Sequence, residues 1–206
     1  MQKKFDKKGC IIALNSIKTV KRNIGYALLL KEAIDSNRIG PQNFCKILDV
    51  KDIKEKAIVI SNDYEKNCGA LKEYSSNVFS CIVNYSMLLV RECVDPSLLI
   101  KEIDNPDIYA VQNIIILVRN AVSHLRTDLQ INSNIVRPKW RIDDDKKNMR
   151  RFFEIRKIGV SLDAANVNGT FFEYNQIKSK DGMGGVANIL RILEFYEKYL
   201  NDLLKS

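Results

Sequence analysis

The chain has 206 residues, 46% of them hydrophobic, and a net charge of +8. This length fits one domain, and the hydrophobic content is enough for a core, which argues against a disordered chain. The five cysteines are widely spaced and form no CxxC pair, so neither a disulfide framework nor a zinc ribbon is indicated. With no signal-peptide pattern and no long uninterrupted apolar run, we expect a soluble cytosolic protein with no membrane partner.

Apolar residues recur at three- and four-residue spacing through the first two thirds of the chain, which predicts helices. A first long helix is predicted over about 10–36, with Ile11 and Leu28 in its apolar stripe. Shorter helical pieces are predicted at about 42–48 and 51–61. A second long helix is predicted over about 64–93, with Tyr74 and Tyr85 toward the core.

The next long helix has a clear start. Asn105 can cap it, Pro106 suits its first turn, and Asp107 complements the positive end of its dipole. Its predicted core stripe is Ile108, Val111, Ile115, Val118 and Val122. A glycine-rich joint at 181–185, which does not match a phosphate-binding loop, leads into a last amphipathic helix with Val186 to Leu203 in its apolar stripe.

Between these two helices the pattern changes to short stretches of β-branched and aromatic residues. Residues 135–177 are predicted to form a small β-rich insertion, with a hairpin turn at Asn168-Gly169. The predicted fold is therefore mainly α: a single domain over 1–206, built as an up-and-down helical bundle with the insertion before its last helix.

Positive charge is concentrated in two stretches. Residues 1–22 carry seven basic residues and one acidic residue, and residues 137–157 carry nine basic and four acidic residues. In the second stretch, cations that could meet phosphates alternate with rings on which unpaired bases could stack. A solvated surface over buried aromatics is the alternative. The candidate RNA-binding residues here are Lys139, Trp140, Arg141, Arg150 and Arg151.

The one histidine, His124, follows Arg119 by five residues at the predicted end of the third long helix. An imidazole can exchange a proton near neutral pH, and an arginine can grip a phosphate with a planar fork of donors. The pair could cut RNA without a metal or other cofactor. The alternative is that His124 interacts with the helix dipole or with free carbonyls. On an ideal helix the two side chains do not share a stripe, so a frayed end would be needed to bring them together.

The segment Arg119-Asn120-Ala121-Val122-Ser123-His124 resembles the motif of the HEPN superfamily. In these helical-bundle proteins an arginine, often followed by a polar residue, precedes a histidine by four to six intervening residues. The resemblance extends over the helical framework, about 10–125 and 182–204. Toxins of this group that pair with a nucleotidyltransferase antitoxin have a tyrosine two residues after the histidine. Arg126 stands there in this chain, which argues against that mode of control, and the β-rich insertion makes phage-defence nucleases the nearer comparison.

The resemblance implies a metal-independent endoribonuclease, a toxin or phage-defence effector, in which two subunits pool their motif residues at a homodimer interface. His124 would accept the proton of a ribose 2′-hydroxyl, and Arg119 would stabilise charge on the phosphate. Asn120 would orient the histidine or the phosphate, and Arg126 would add a phosphate contact. We expect this site beside the basic insertion, at the mouth of the bundle. A toxic nuclease also implies an antitoxin or another regulatory protein.

Two other functions remain open on the sequence. A non-catalytic HEPN-like module could hold RNA or an acidic protein and would tolerate the loss of His124. A structural interaction protein would have no affinity for RNA even at low salt. The run Asp143-Asp144-Asp145 is interpreted as a solvated turn rather than a metal site, because three adjacent acids on a loop do not converge on one point.

Overall fold

The computed structural model describes residues 6–40, 68–90, 94, 98–123, 152–164 and 185–205. Within these ranges 79% of the residues are helical, in four helices, and a two-stranded antiparallel sheet precedes the last helix. The predicted fold class, mainly α with a small β element before the last helix, is confirmed. The helical pieces predicted at 42–48 and 51–61 lie outside the described residues.

The four helices match the predicted long helices to within about one helical turn at either end. They are α1 (Lys7–Asp35), α2 (Cys68–Leu89), α3 (Pro106–Ser123) and α4 (Val186–Lys205). None of the helices in the described ranges is both long and apolar enough to cross a membrane.

Side-chain caps and one left-handed residue explain where the helices begin and end. Asp6 Oδ1 accepts the backbone N–H groups of Lys8 and Gly9 at the start of α1, at 3.0 and 3.1 Å. The predicted cap of α3 is present, since Asn105 Oδ1 accepts the N–H of Ile108 at 3.1 Å. Beyond α1, Asn37 has a φ of 58°, and this left-handed residue ends the helix within about one residue of the predicted end.

The sheet is a hairpin of β1 (Phe152–Ile155) and β2 (Val160–Asp163), with Phe153 opposite Leu162. A 3₁₀ turn at Arg156–Ile158 joins the strands, and Gly159 closes it with a φ of 61°. The sequence had suggested a forward partner for Val160–Leu162 across Asn168-Gly169. The pairing of β2 with β1, the strand before it, was not predicted, because the turn between the two strands contains no Asn-Gly pair. Residues 168–169 lie outside the described residues.

The chain divides into two compact units, residues 1–21 with 87–206 and residues 22–86. In the first unit, α4 is joined to α1 by polar contacts around an apolar core. Lys21 Nζ lies 3.0 Å from Glu197 Oε2 and 3.4 Å from Glu194 Oε1. The Cys10 thiol donates to the carbonyl of Leu200 at 3.4 Å. The fully buried side chains of this core include Ile17, Ile108, Ile114, Ile155, Leu162, Leu193, Tyr196 and Leu200.

The second unit contains α1 from Arg22 onward and α2 up to Ser86. Its buried apolar side chains on α1 are Ile24, Ala27 and Ile34, and those on α2 are Leu71 and Val83. Within α1, Lys31 and Asp35 form an ion pair at i,i+4 spacing.

Three predicted core positions are wrong. Ile11 is 43% exposed, Leu28 is 39% exposed and Tyr85 is 62% exposed. Some of the buried positions on these helices hold small or polar residues. A prediction based on the spacing of large apolar side chains does not include such residues. On α1 these include Cys10, Ala13 and Ala27, and on α2 they include Ser75 and Ser86. Nothing can be said of the side chain of Tyr74, which lies outside the described set.

Candidate functional site

Helix α3 positions the first two residues of the predicted motif. Its predicted stripe, Ile108, Val111, Ile115, Val118 and Val122, is buried throughout, so the helix is held firmly along its length. Arg119 and Asn120 lie in its last two turns and are both half-buried. A half-buried position keeps a polar side chain fixed while leaving part of it open to a ligand.

The side chains of Arg119 and Asn120 are hydrogen-bonded to each other. Arg119 Nη1 donates to Asn120 Oδ1 over 2.9 Å. Adjacent helical residues point about 100° apart, so this bond draws the guanidinium around the helix toward the side of Asn120. A guanidinium has five N–H donors, and others than the one on Nη1 are available to grip a phosphate in a planar fork.

Asn120 belongs to the more open side of α3. Tyr109, Asn113, Ile116 and Asn120 follow each other at spacings of three and four residues, and none of the four is buried. Ile116 is 37% exposed in the middle of a helix whose other isoleucines are buried. The arginine is therefore held next to a partly apolar, partly amide-bearing strip of the helix surface.

The remaining predicted site residues lie outside the described residues. They are the proposed base, His124, and the candidate RNA contacts Arg126, Lys139, Trp140, Arg141, Arg150 and Arg151. The same holds for Asp143-Asp144-Asp145. Among the described residues, no group of three or more His, Cys, Asp or Glu side chains could hold a metal ion.

The described part of the insertion, residues 152–164, contacts the first turns of α3, whereas Arg119 lies in the last turns of that helix. Asp107 Oδ1 accepts the backbone N–H of Arg156 at 2.9 Å, and the rings of Tyr109 and Phe153 lie 6.2 Å apart at 50°. Asp107 precedes Arg119 by twelve residues, which is about 18 Å along a helix axis. For residues 152–164, the expectation that the insertion lies beside Arg119 is therefore not met. The reason is the tertiary hydrogen bond between Arg156 and Asp107, which no sequence pattern predicts.

Residues near the start of α3 also form a pocket that the sequence patterns did not indicate. It is lined by residues from four segments, namely the loop before α3, the first turns of α3, β1, and the 3₁₀ turn that follows β1. The lining includes Glu102, Pro106, Asp107, Tyr109, Phe152, Glu154 and Arg156. Alternation along β1 could have suggested its outward face, since Phe152 and Glu154 share one side of the strand.

A buried glutamine fastens the loop before α3. Gln112 Oε1 accepts the N–H of Ile100 at 3.0 Å, and Gln112 Nε2 donates to the carbonyl of Leu98 at 2.8 Å and to the hydroxyl of Tyr196 at 3.0 Å. Its only sequence signal is an amide in line with the apolar residues of α3, next to Val111 and three residues before Ile115.

Comparison with known proteins found no relative of this chain. The chain matches no family model, no curated protein and no solved structure. The resemblance to the HEPN superfamily therefore continues to rest on the six motif residues and on the helical framework around them.

Proposed function

We propose that this protein is a metal-independent endoribonuclease of the HEPN type, acting in the cytoplasm as a toxin or phage-defence effector. One observation carries the proposal. Arg119 is held by Asn120 near the end of a buried helix, five residues before the one histidine of the chain. An arginine fixed by its neighbour is pre-organised for a phosphate, so less side-chain entropy is lost on binding.

The reaction needs two groups. His124 accepts the proton of the ribose 2′-hydroxyl, and the 2′-oxygen attacks the adjacent phosphorus. The bond from phosphorus to the 5′-oxygen breaks, the leaving 5′-oxygen takes up a proton from water, and His124 then gives its proton back to water. Arg119 stabilises the negative charge that develops on the non-bridging oxygens. The products are a 2′,3′-cyclic phosphate and a 5′-hydroxyl, so DNA, which has no 2′-hydroxyl, is not cut.

The proposal includes a homodimer formed through α3. The exposure of Ile116, on a helix whose other isoleucines are buried and one turn from Arg119, supports an interface there. A twofold interface through this strip would bring two copies of Arg119 near each other. Because a free ribonuclease of this kind would damage its host, an antitoxin or another regulatory protein is part of the proposal.

Cleavage of a mixed RNA pool in EDTA tests the function. Wild type, Arg119→Ala and His124→Ala are compared, with Arg38→Ala as a matched control because Arg38 is exposed and belongs to the other unit. Wild type and the control should give fragments with cyclic-phosphate ends, and both site variants should give none. If all four proteins bind RNA equally and none cuts it, the non-catalytic binding module is favoured.

A further inference from the structure

The pocket near the start of α3 has the lining of a site for a planar polar ring. Its cavity volume is about 40 Å³, so a ring would lie against its open face instead of being enclosed. The lining combines three aromatic rings with three carboxylates and one guanidinium.

The rings come from β1 and α3. Alternation along β1 directs Phe153 and Ile155 into the core, where they are 5% and 0% exposed, and leaves Phe152 44% exposed beside the pocket. Tyr109 is half-buried, and its ring is fixed by contact with Phe153. An exposed phenylalanine next to a held tyrosine is a surface on which a base can stack.

The charged groups offer an acceptor beside a donor. Arg156 Nε lies 3.3 Å from Glu154 Oε2, and the two side chains are 77% and 47% exposed. A pair this exposed is held weakly, so both groups can turn toward a ligand. The hydrogen bond from the Arg156 backbone to Asp107 keeps this part of the wall in place.

The carboxylates of the pocket favour a base over a phosphate as the bound group. Glu102, Asp107 and Glu154 all line the pocket and would repel a phosphate placed inside it. A carboxylate accepts two adjacent N–H donors, and an arginine donates to a carbonyl oxygen. Guanine presents both on its Watson–Crick edge, with N1–H and the N2 amino group as donors and O6 as acceptor. Its phosphates would lie outside, near Arg156 and the exposed Lys157.

We propose that this pocket binds one unpaired guanine of single-stranded RNA, with Phe152 stacking on the base and Glu154 and Arg156 reading its edge. The inference rests on the proposed function, because it names a feature of the RNA to be cut. The pocket lies about 18 Å along α3 from Arg119. At roughly 3.4 Å for each stacked nucleotide, the guanine read here is about five nucleotides from the scissile phosphate.

Binding is tested with full-length protein carrying His124→Ala, so that RNA is not consumed. The probes are two fluorescent twelve-nucleotide RNAs, one of uridine only and one with a single guanosine at its centre, and the readout is anisotropy. We expect the guanosine probe to bind roughly tenfold more tightly. Adding Phe152→Ala should weaken binding of the guanosine probe by roughly tenfold. Adding Glu154→Gln should abolish the preference for guanosine.

Tyr85→Ala is the matched control, since it also removes an exposed ring but on α2, in the other unit. It should change neither affinity nor preference. The inference is overturned if the two probes bind equally, if Phe152→Ala behaves like Tyr85→Ala, or if Glu154→Gln keeps the preference. Equal binding is also the result expected if the pocket takes a basic peptide instead. Unchanged thermal unfolding shows that the variants are folded.

The two proposals fail in different ways. If wild type cuts RNA in EDTA but Phe152→Ala alters neither affinity nor preference, the pocket assignment falls and the ribonuclease stands. If the guanosine preference depends on Phe152 and Glu154 while wild type cuts nothing, the ribonuclease falls and the pocket stands.

Discussion

Gln112 on α3 donates its side-chain N–H to the hydroxyl of Tyr196 on α4 over 3.0 Å. Gln112 is 1% exposed and Tyr196 is fully buried, so the bond lies in the core of the first unit. The same amide binds Leu98 and Ile100. One side chain thereby joins two helices and the loop that leads to the candidate guanine pocket.

Gln112→Leu should lower the free energy of unfolding by roughly 2–4 kcal/mol, because the carbonyl of Leu98, the N–H of Ile100 and the hydroxyl of Tyr196 each lose a hydrogen bond. Tyr196→Phe removes a single hydroxyl and should cost about 1 kcal/mol. Urea denaturation followed by circular dichroism measures both. If Gln112→Leu lowered the free energy of unfolding no more than Tyr196→Phe, the other hydrogen bonds of the glutamine would not stabilise the fold.

Two glycines with open space around them should respond to alanine in opposite ways. Gly159 has a φ of 61° and no atom within 4 Å of an added Cβ, so only backbone strain opposes the substitution. Gly159→Ala should cost about 1–2 kcal/mol. Gly25 lies inside α1 with equally open space, and Gly25→Ala should stabilise by up to about 1 kcal/mol. Thermal unfolding of the two variants measures the difference, and a shift in the same direction for both would contradict this account.

Three side chains in the first unit make the fold sensitive to alkali. Burial, and then the charge of Asp6, raises the pKa of the Cys10 thiol. Burial, and then the charge of Cys10, raises the pKa of Tyr199. Burial by itself would lower the pKa of Lys21, but the hydrogen bond and charge of Glu197 outweigh it, and the net direction is upward.

A pKa that is higher in the folded chain gives stability that is complete below the unfolded pKa and is lost as the pH rises through the folded pKa. For these three groups the loss begins near pH 8.5, where an unfolded cysteine ionises, and continues above pH 10. The urea midpoint should therefore be lower at pH 10 than at pH 8. Cys10→Ala should lose less over the same interval, and an equal or larger loss would exclude the thiol as a cause.

Asn120→Ala should lower kcat for RNA cleavage by roughly tenfold to a hundredfold, with less change in KM. The arginine would lose the bond that holds it, while the proton chemistry of His124 would continue, so the pH profile should keep its shape. Asn113→Ala, on the same side of α3 and also half-buried, is the control and should retain activity. A shifted pH profile for Asn120→Ala would mean that the asparagine acts on the histidine instead.

Ile116→Glu should convert the proposed homodimer to a monomer, because it places a charge in the middle of the apolar part of the interface. Ile103→Glu is the control, since Ile103 is 89% exposed on the loop before α3. Light scattering after size-exclusion chromatography gives the mass of each. A wild-type mass near the monomer value of 23.6 kDa would contradict dimerisation through α3.

Local chemistry was sufficient to predict the helices. The apolar stripe of α3, its cap at Asn105 and the left-handed end of α1 at Asn37 depend on residues close together in the chain, so spacing and residue type predict them. The position of Arg119 and Asn120 near the end of α3 was predicted in the same way, because it depends only on where this helix begins and ends.

Only the tertiary structure decided which surfaces meet. Tyr85 was expected in the core and is exposed, while the polar Gln112 is buried, because burial depends on what packs against a helix as well as on its period. The contact of Arg156 with Asp107 joins residues 49 positions apart, and it sets the hairpin against the first turns of α3. Such long-range contacts leave no periodic trace in a sequence, which is why the pocket lined by Phe152 and Glu154 could not be predicted from it.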